Sequence, residues 1–184
     1  MLPTVALVGR PNVGKSTLFN KLTHSRDALV ADVPGLTRDR RYGRMESEDS
    51  QVTLIDTGGL FGEHVLADEL TGQTQLAVDE ADLVLLLLDG RDGVTASDED
   101  VVTYLRKSNV AFLPVINKID GLNEGQIIAD FVRFGFPEYA LISASHKRGL
   151  KQLRETVAEK LSALDLPLAA EPEDEPDGIR VAVV

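Results

Sequence analysis

Apolar residues in this chain come in short runs that stop at a glycine, an aspartate or an asparagine. Val5–Val8 halts at Gly9, Val52–Ile55 at Asp56, Leu83–Leu88 at Asp89, and Ala111–Ile116 at Asn117. Runs of this length with turn formers at their ends predict strands. LVLLLLD (83–89) is so uniformly apolar that helices are expected on both of its faces. Arg41–Met45 and Val52–Ile55 read as a pair of neighbouring strands, and Tyr139–Ile142 as a further one. Between the runs the period changes. KSTLFNKL after Gly14 places Leu18, Phe19 and Leu22 on one helical face, and a weak helix ends near Glu80. Further helices are expected from a Ser97 cap to about Lys107, over Ile127–Phe134 and over Lys151–Leu164. Thr23–Thr37 and Gly58–Gly62 have no sustained period and read as loops.

Strands alternating with helices predict an α/β fold with a mostly parallel, six-stranded sheet and helices on both faces. Ligands of such sheets sit beyond the C-terminal strand ends. The polar motifs of this chain follow the apolar runs, so they fall at that edge.

The most specific motif is GRPNVGKS (Gly9–Ser16), a glycine, four residues, then Gly-Lys-Ser between a strand and a helix. It predicts a P-loop. Backbone N–H groups of Gly9, Arg10, Asn12, Val13, Gly14 and Thr17 and their neighbours are expected around phosphates, with Pro11, which has no N–H, in the same loop. Lys15 is expected at the β- and γ-phosphates and the Ser16 hydroxyl on Mg²⁺. DTGG (Asp56, Thr57, Gly58, Gly59) follows a strand, where the carboxylate can hold Mg²⁺ and a glycine N–H can face the γ-phosphate. Alone, it is an ordinary turn sequence. Thr37 can add a second hydroxyl to Mg²⁺, although Thr23 and Thr53 qualify on chemistry alone.

NKID (Asn117, Lys118, Ile119, Asp120) ends another strand and points to guanine. One carboxylate accepts both the N1–H and the 2-amino hydrogens of that base. Adenine would leave Asp120 without those partners, at about 1–3 kcal/mol. Asn117 can bond the other edge of the base, and the Lys118 stem can lie along its ring. SAS (Ser143, Ala144, Ser145) carries no information in isolation, but after the last strand its Ala144 N–H can meet the guanine O6.

With 184 residues, 43% hydrophobic and 27% charged, the chain fits one soluble domain with a sizeable core. It has no cysteine, which excludes disulfides and thiolate metal sites. No signal-peptide pattern or bilayer-length apolar stretch is visible, so a cytoplasmic protein that does not enter a membrane is expected. The net charge of −11 argues against a general nucleic-acid binder. EPEDEPD (171–177) supplies −5 of it and reads as an acidic linker, leaving −6 for the remainder. TRDRRYGR (37–44), with four arginines and one aspartate, is either a solvated edge or a nucleotide-dependent docking surface. His24, His64 and His146 have no metal-ligand spacing, and no Ser/His/Asp arrangement is apparent. IRVAVV (179–184) echoes PTVALV (3–8), which suggests the start of a second copy. The expected organisation is a GTPase domain over 1–165, a linker over 166–178 and the first strand of another domain over 179–184.

Together GRPNVGKS, GLTRD (35–39), DTGG, NKID and SAS resemble the five ordered motifs of the Era-like GTPases. DALVADVPGLTRDRRYGR (27–44) is similar to the first GTPase domain of their tandem-domain, EngA-type members, and the likeness covers essentially the whole chain. The resemblance implies GTP and GDP as ligands, slow Mg²⁺-dependent hydrolysis and a part in assembling the large ribosomal subunit. The neighbouring second GTPase domain and a C-terminal domain would be partners in cis. It implies that Thr37 closes over Mg²⁺ and the γ-phosphate, and that Lys15, Thr37, Asn12 and Gly59 form the catalytic set. It also makes Asn12 a ligand of an activating K⁺. Where Ras-like chains carry a water-orienting glutamine, this chain has Leu60, which cannot hydrogen-bond. A GTP-regulated binding module without catalysis, or another Era-like factor such as a tRNA-modification GTPase, are the alternatives.

Overall fold

A computed structural model describes residues 2–23, 41–47, 50–57 and 72–164. In chain order the elements are β1 (Thr4–Val8), α1 (Lys15–Leu22), β2 (Arg41–Ser47), β3 (Ser50–Asp56), α2 (Gly72–Glu80) and β4 (Leu83–Asp89). Then come α3 (Ala96–Ser108), β5 (Phe112–Asn117), α4 (Glu124–Phe131) with a 3₁₀ turn Val132–Phe134, β6 (Ala140–Leu141) and α5 (Leu150–Ala163).

The strands form one six-stranded sheet in the order β2-β3-β1-β4-β5-β6. Only the β2–β3 pair is antiparallel. This is the mostly parallel P-loop fold that the sequence predicts. The chain runs from β1 outward to β3 on one side and to β4 on the other, so the strand order reverses at β1. Ligands of open α/β sheets bind beyond the strand ends at such a point.

Alternation along the central strands divides the core. Leu7 of β1 and Leu83, Leu85 and Leu87 of β4 face the layer of α1 and α5, with Phe19, Leu153 and Val157. Ala6, Val84, Leu86 and Leu88 face α2, α3 and α4, with Val102, Leu105 and Ile127. Every residue of β4 is buried, as a strand covered on both faces requires. Each fully buried leucine contributes about 1.5–3 kcal/mol, so the central strands form a rigid floor for the loops above them.

Several boundaries differ from the sequence reading. Thr95, two residues before Ser97, caps α3 and forms a reciprocal capping box with Asp98. α4 begins a turn earlier than Ile127 because the Asn123 side chain accepts from the Gly125 and Gln126 N–H groups. The end of the predicted helix tightens into the 3₁₀ turn and stops at Gly135, φ 58°. Only Ala140 and Leu141 of the predicted Tyr139–Ile142 strand pair with β5, and Thr23 bridges Met45. The linker over 166–178 and the strand over 179–184 lie outside the described residues. Among the described residues, no helix is long and apolar enough to cross a membrane.

Candidate nucleotide-binding site

The loop between β1 and α1 wraps around its own lysine. Lys15 Nζ donates to the carbonyls of Gly9 (2.7 Å) and Arg10 (2.8 Å), and the residue is only 4% exposed. Burial pulls its ammonium pKa from 10.5 down to about 8, against the opposing pull of the Asp56 charge. Gly14 precedes the helix at φ 102°, in the left-handed region. A Cβ there would lie 2.4 Å from Asn117 Nδ2, so any side chain would also meet the neighbouring loop. Asn12 has a positive φ of 65° and is exposed at the loop tip with Pro11. Ser16 is half-buried in the first turn of α1, and Thr17 is exposed.

The side chains of Arg10 and Thr57 are held within the protein. The Arg10 guanidinium is committed to Asp92 (2.8 Å) and to Asp98 (3.5 Å), which leaves its backbone as its part in the phosphate loop. Burial works against that charge, but Asp92, Asp98 and Asp89 outweigh it and hold its pKa above the usual arginine value. Thr57 Oγ1 donates to the Leu7 carbonyl at 2.6 Å and ties the end of β3 to β1. Asp56 pairs with Leu7 in the β1–β3 register and is 1% exposed, at the same sheet edge as the P-loop. Thr37, Gly58, Gly59 and Leu60 lie outside the described residues.

The NKID segment leaves β5 and fastens three loops together. Asn117 Nδ2 donates to the Val13 carbonyl at 2.9 Å, while its Oδ1 accepts the Ala144 N–H at 3.0 Å. Its amide keeps a second hydrogen, which suits an acceptor on a base edge. The Ala144 N–H that the sequence reading gave to guanine O6 is thus already bonded to Asn117, so a base oxygen would have to share it. Lys118, at φ 64°, donates from Nζ to the Asn12 carbonyl at 2.7 Å and pairs with Asp89 at 2.6 Å. Burial favours the neutral form of Asp89, yet Lys118 and the Arg91 and Asp92 N–H groups hold its carboxyl below the usual range. Ile119 is buried, and its N–H donates to Ile142.

Asp120 is presented from that base. Ser143 Oγ donates to its Oδ1 at 2.8 Å, Arg91 donates to Oδ2, and His146 Nδ1 lies 3.6 Å from Oδ1. The Ser143 bond first, then the charges of Arg91 and His146, keep the Asp120 carboxyl below its ordinary pKa. It therefore stays an acceptor near neutral pH. Ser145 Oγ lies 3.2 Å from His146 Nδ1 at the rim.

Three supporting residues, Asp89, Arg91 and His146, have no role at the site in the sequence reading. Asp89 ends an apolar run just as Asp56 does, and that signal was available. Arg91 and His146 carry no local pattern, because folding alone brings them to Asp120.

For a divalent cation, the Ser16 hydroxyl and the Asp56 carboxylate are hard oxygen donors of the kind Mg²⁺ prefers. Among the described residues no three His, Asp or Glu side chains converge on a metal position. Among the described residues, these two oxygens are the ones placed to take part in holding such an ion. Asp120, Asn117 and the SAS loop lie across the P-loop from them, so the site has one end suited to phosphates and another suited to a base.

A family profile described as 50S ribosome-binding GTPase matches residues 4–118. GTPase Der of Marinobacter nauticus is 50% identical over 190 aligned positions, covering 100% of this chain and 38% of the relative. GTPase Der of Idiomarina loihiensis is 51% identical, covering 95% of this chain and 36% of that protein. The chain thus spans little more than a third of the length of these curated relatives. Among solved structures, Era in complex with MgGDPNP and a segment of 16S ribosomal RNA superimposes with a TM-score of 0.70 at 28% identity, over 96% of this chain and 60% of that one.

Proposed function

This chain belongs to the 50S ribosome-binding GTPase family, and from that premise we propose that it is a Mg²⁺-dependent, K⁺-stimulated GTP switch domain of a factor acting in large-subunit assembly. The observation that carries the reading is the Asn117 clamp. It fastens the phosphate loop to the SAS loop through Val13 and Ala144, with Asp120 three residues beyond it. Recognition of guanine and holding of phosphate then depend on the same side chain.

In this reading Lys15 exchanges its two carbonyl partners for β- and γ-phosphate oxygens and neutralises charge that builds there during transfer. Gly9 through Thr17 supply the cradle, while Asp120 and Asn117 hold the base. Ser16 and Asp56, with Thr37, would hold Mg²⁺, which when bound supplies charge neutralisation between the phosphates. Asn12 would hold K⁺. The Gly59 N–H would face the γ-phosphate. With Leu60 in place of a glutamine, the attacking water is oriented by backbone, by a cation or by another loop, and turnover is slow, well below the ~1–100 s⁻¹ of kinases. The ribosomal role rests on the family's description, and it belongs to the longer protein. A second copy of GxxxxGKS encoded beyond Val184 is what the tandem arrangement requires.

Leu60 also favours a second reading, a module whose GTP and GDP shapes are read by a neighbouring domain without catalysis. Single-turnover hydrolysis at saturating K⁺ separates the two. The enzyme reading expects GTP consumed at a measurable rate that vanishes when Mg²⁺ is chelated. Absence of phosphate release over hours leaves only the module.

A further inference from the structure

The carboxylate expected to read the base already has a partner shaped like one. Arg91 donates from a terminal guanidinium nitrogen to Asp120 Oδ2, while Ser143 holds Oδ1 at 2.8 Å. A guanidinium places N–H groups on a single carbon. Guanine does the same at its recognition edge, with N1–H and the 2-amino group flanking C2. The two compete for one kind of acceptor with the same donor unit.

The placement of Arg91 supports the comparison. Its backbone N–H is fixed by Asp89 Oδ1 at 2.9 Å, so the side chain starts from the rigid end of β4. From there it reaches Asp120 across the β4–α3 and β5–α4 connections. The side chain is 55% exposed, so it can swing into water at little cost. The other groups at Asp120 come from the β6–α5 connection. Ser143 is fully buried and His146 stands 3.6 Å from Oδ1, both on the Oδ1 side. Arg91 is the partner of Oδ2.

We propose that Arg91 is a specificity-determining residue that competes with guanine for Asp120, holding the carboxylate ready and returning to it as the base leaves. The inference rests on the guanine reading of Asp120. Binding then exchanges one ion pair for two base hydrogen bonds, which lowers affinity and eases nucleotide release. A purine lacking the paired donors has nothing to offer in that exchange.

The test uses the 184-residue chain with fluorescent methylanthraniloyl-GDP, measuring affinity and association and dissociation rates. Arg91→Ala is expected to bind GDP two- to fivefold more tightly, the scale of a half-exposed ion pair. Arg91→Lys should lie between, since lysine keeps the charge without the fork. In an Asp120→Asn background, probed with the xanthine analogue, the same Arg91→Ala change should have no effect. Equal or weaker GDP binding by Arg91→Ala overturns the proposal, as does an undiminished gain in the Asp120→Asn background. A wild-type chain that binds no guanine nucleotide overturns the parent reading and this inference with it.

Discussion

Asn117 Nδ2 lies 2.9 Å from the carbonyl of Val13, a residue 104 positions earlier in the chain. Its Oδ1 accepts from Ala144, so both arms of one buried amide hold separate loops. Replacing it with alanine strands a carbonyl and an N–H in a place water reaches poorly. We expect Asn117→Ala to lower stability by about 2–3 kcal/mol in chemical denaturation and to weaken GDP and GTP alike. A variant as stable as wild type would mean the clamp carries little.

Gly14 faces the same amide. Gly14→Ala adds a Cβ 2.4 Å from Asn117 Nδ2 on a backbone at φ 102°. The expected loss is about 1–3 kcal/mol for the strained backbone alone, with a further fall in nucleotide affinity as Asn117 is displaced. Thermal melting with and without GDP separates the two losses.

The lysine of the phosphate loop makes binding and folding respond oppositely to pH. Its folded pKa is about 8, against an ordinary 10.5. Between those values the unfolded chain binds more protons, so the contribution of Lys15 to stability rises with pH. Phosphate binding favours the ammonium, so nucleotide affinity should fall by up to tenfold per pH unit above about 8. Titration calorimetry near pH 9 in buffers of different ionisation enthalpy should register uptake of up to one proton, and Lys15→Gln should abolish it.

Exchanging the acceptor for a donor tests base recognition. Asp120→Asn is expected to lose GTP affinity roughly 5- to 150-fold, the equivalent of about 1–3 kcal/mol, and to gain xanthosine triphosphate. Competition binding reads both. An unchanged order of GTP, XTP and ATP would remove Asp120 from the site.

The cation requirement has its own control. GTP turnover is expected to be faster in K⁺ than in Na⁺ buffer, and Asn12→Ala should erase the difference without unfolding an exposed loop tip. Equal rates in the two salts would remove Asn12 from the catalytic set.

Much of this arrangement was legible because its signals are local. An apolar run ended by a polar residue marks a strand and also where the site begins, so Asp56 and Asn117 could be found together. The GxxxxGKS spacing locates Lys15 because few other structures use it. What escaped was the rest of the hydrogen bonding. Arg10 sits inside the motif, yet folding brings Asp92 and Asp98 close enough to claim its guanidinium. Thr57 sits inside DTGG, yet its hydroxyl goes to the Leu7 carbonyl because β3 lies beside β1. Caps were missed for a related reason. Thr95 and Ser97 both qualify by type, and only the reciprocal bond from Asp98 chooses between them.

Asp89 stands directly opposite Asn117 in the β4–β5 ladder. Because side chains alternate along a strand, deleting or inserting one residue within either run would rotate one partner to the opposite face. Length changes in this lineage should therefore accumulate in the connection after Gly90 and never inside Leu83–Asp89.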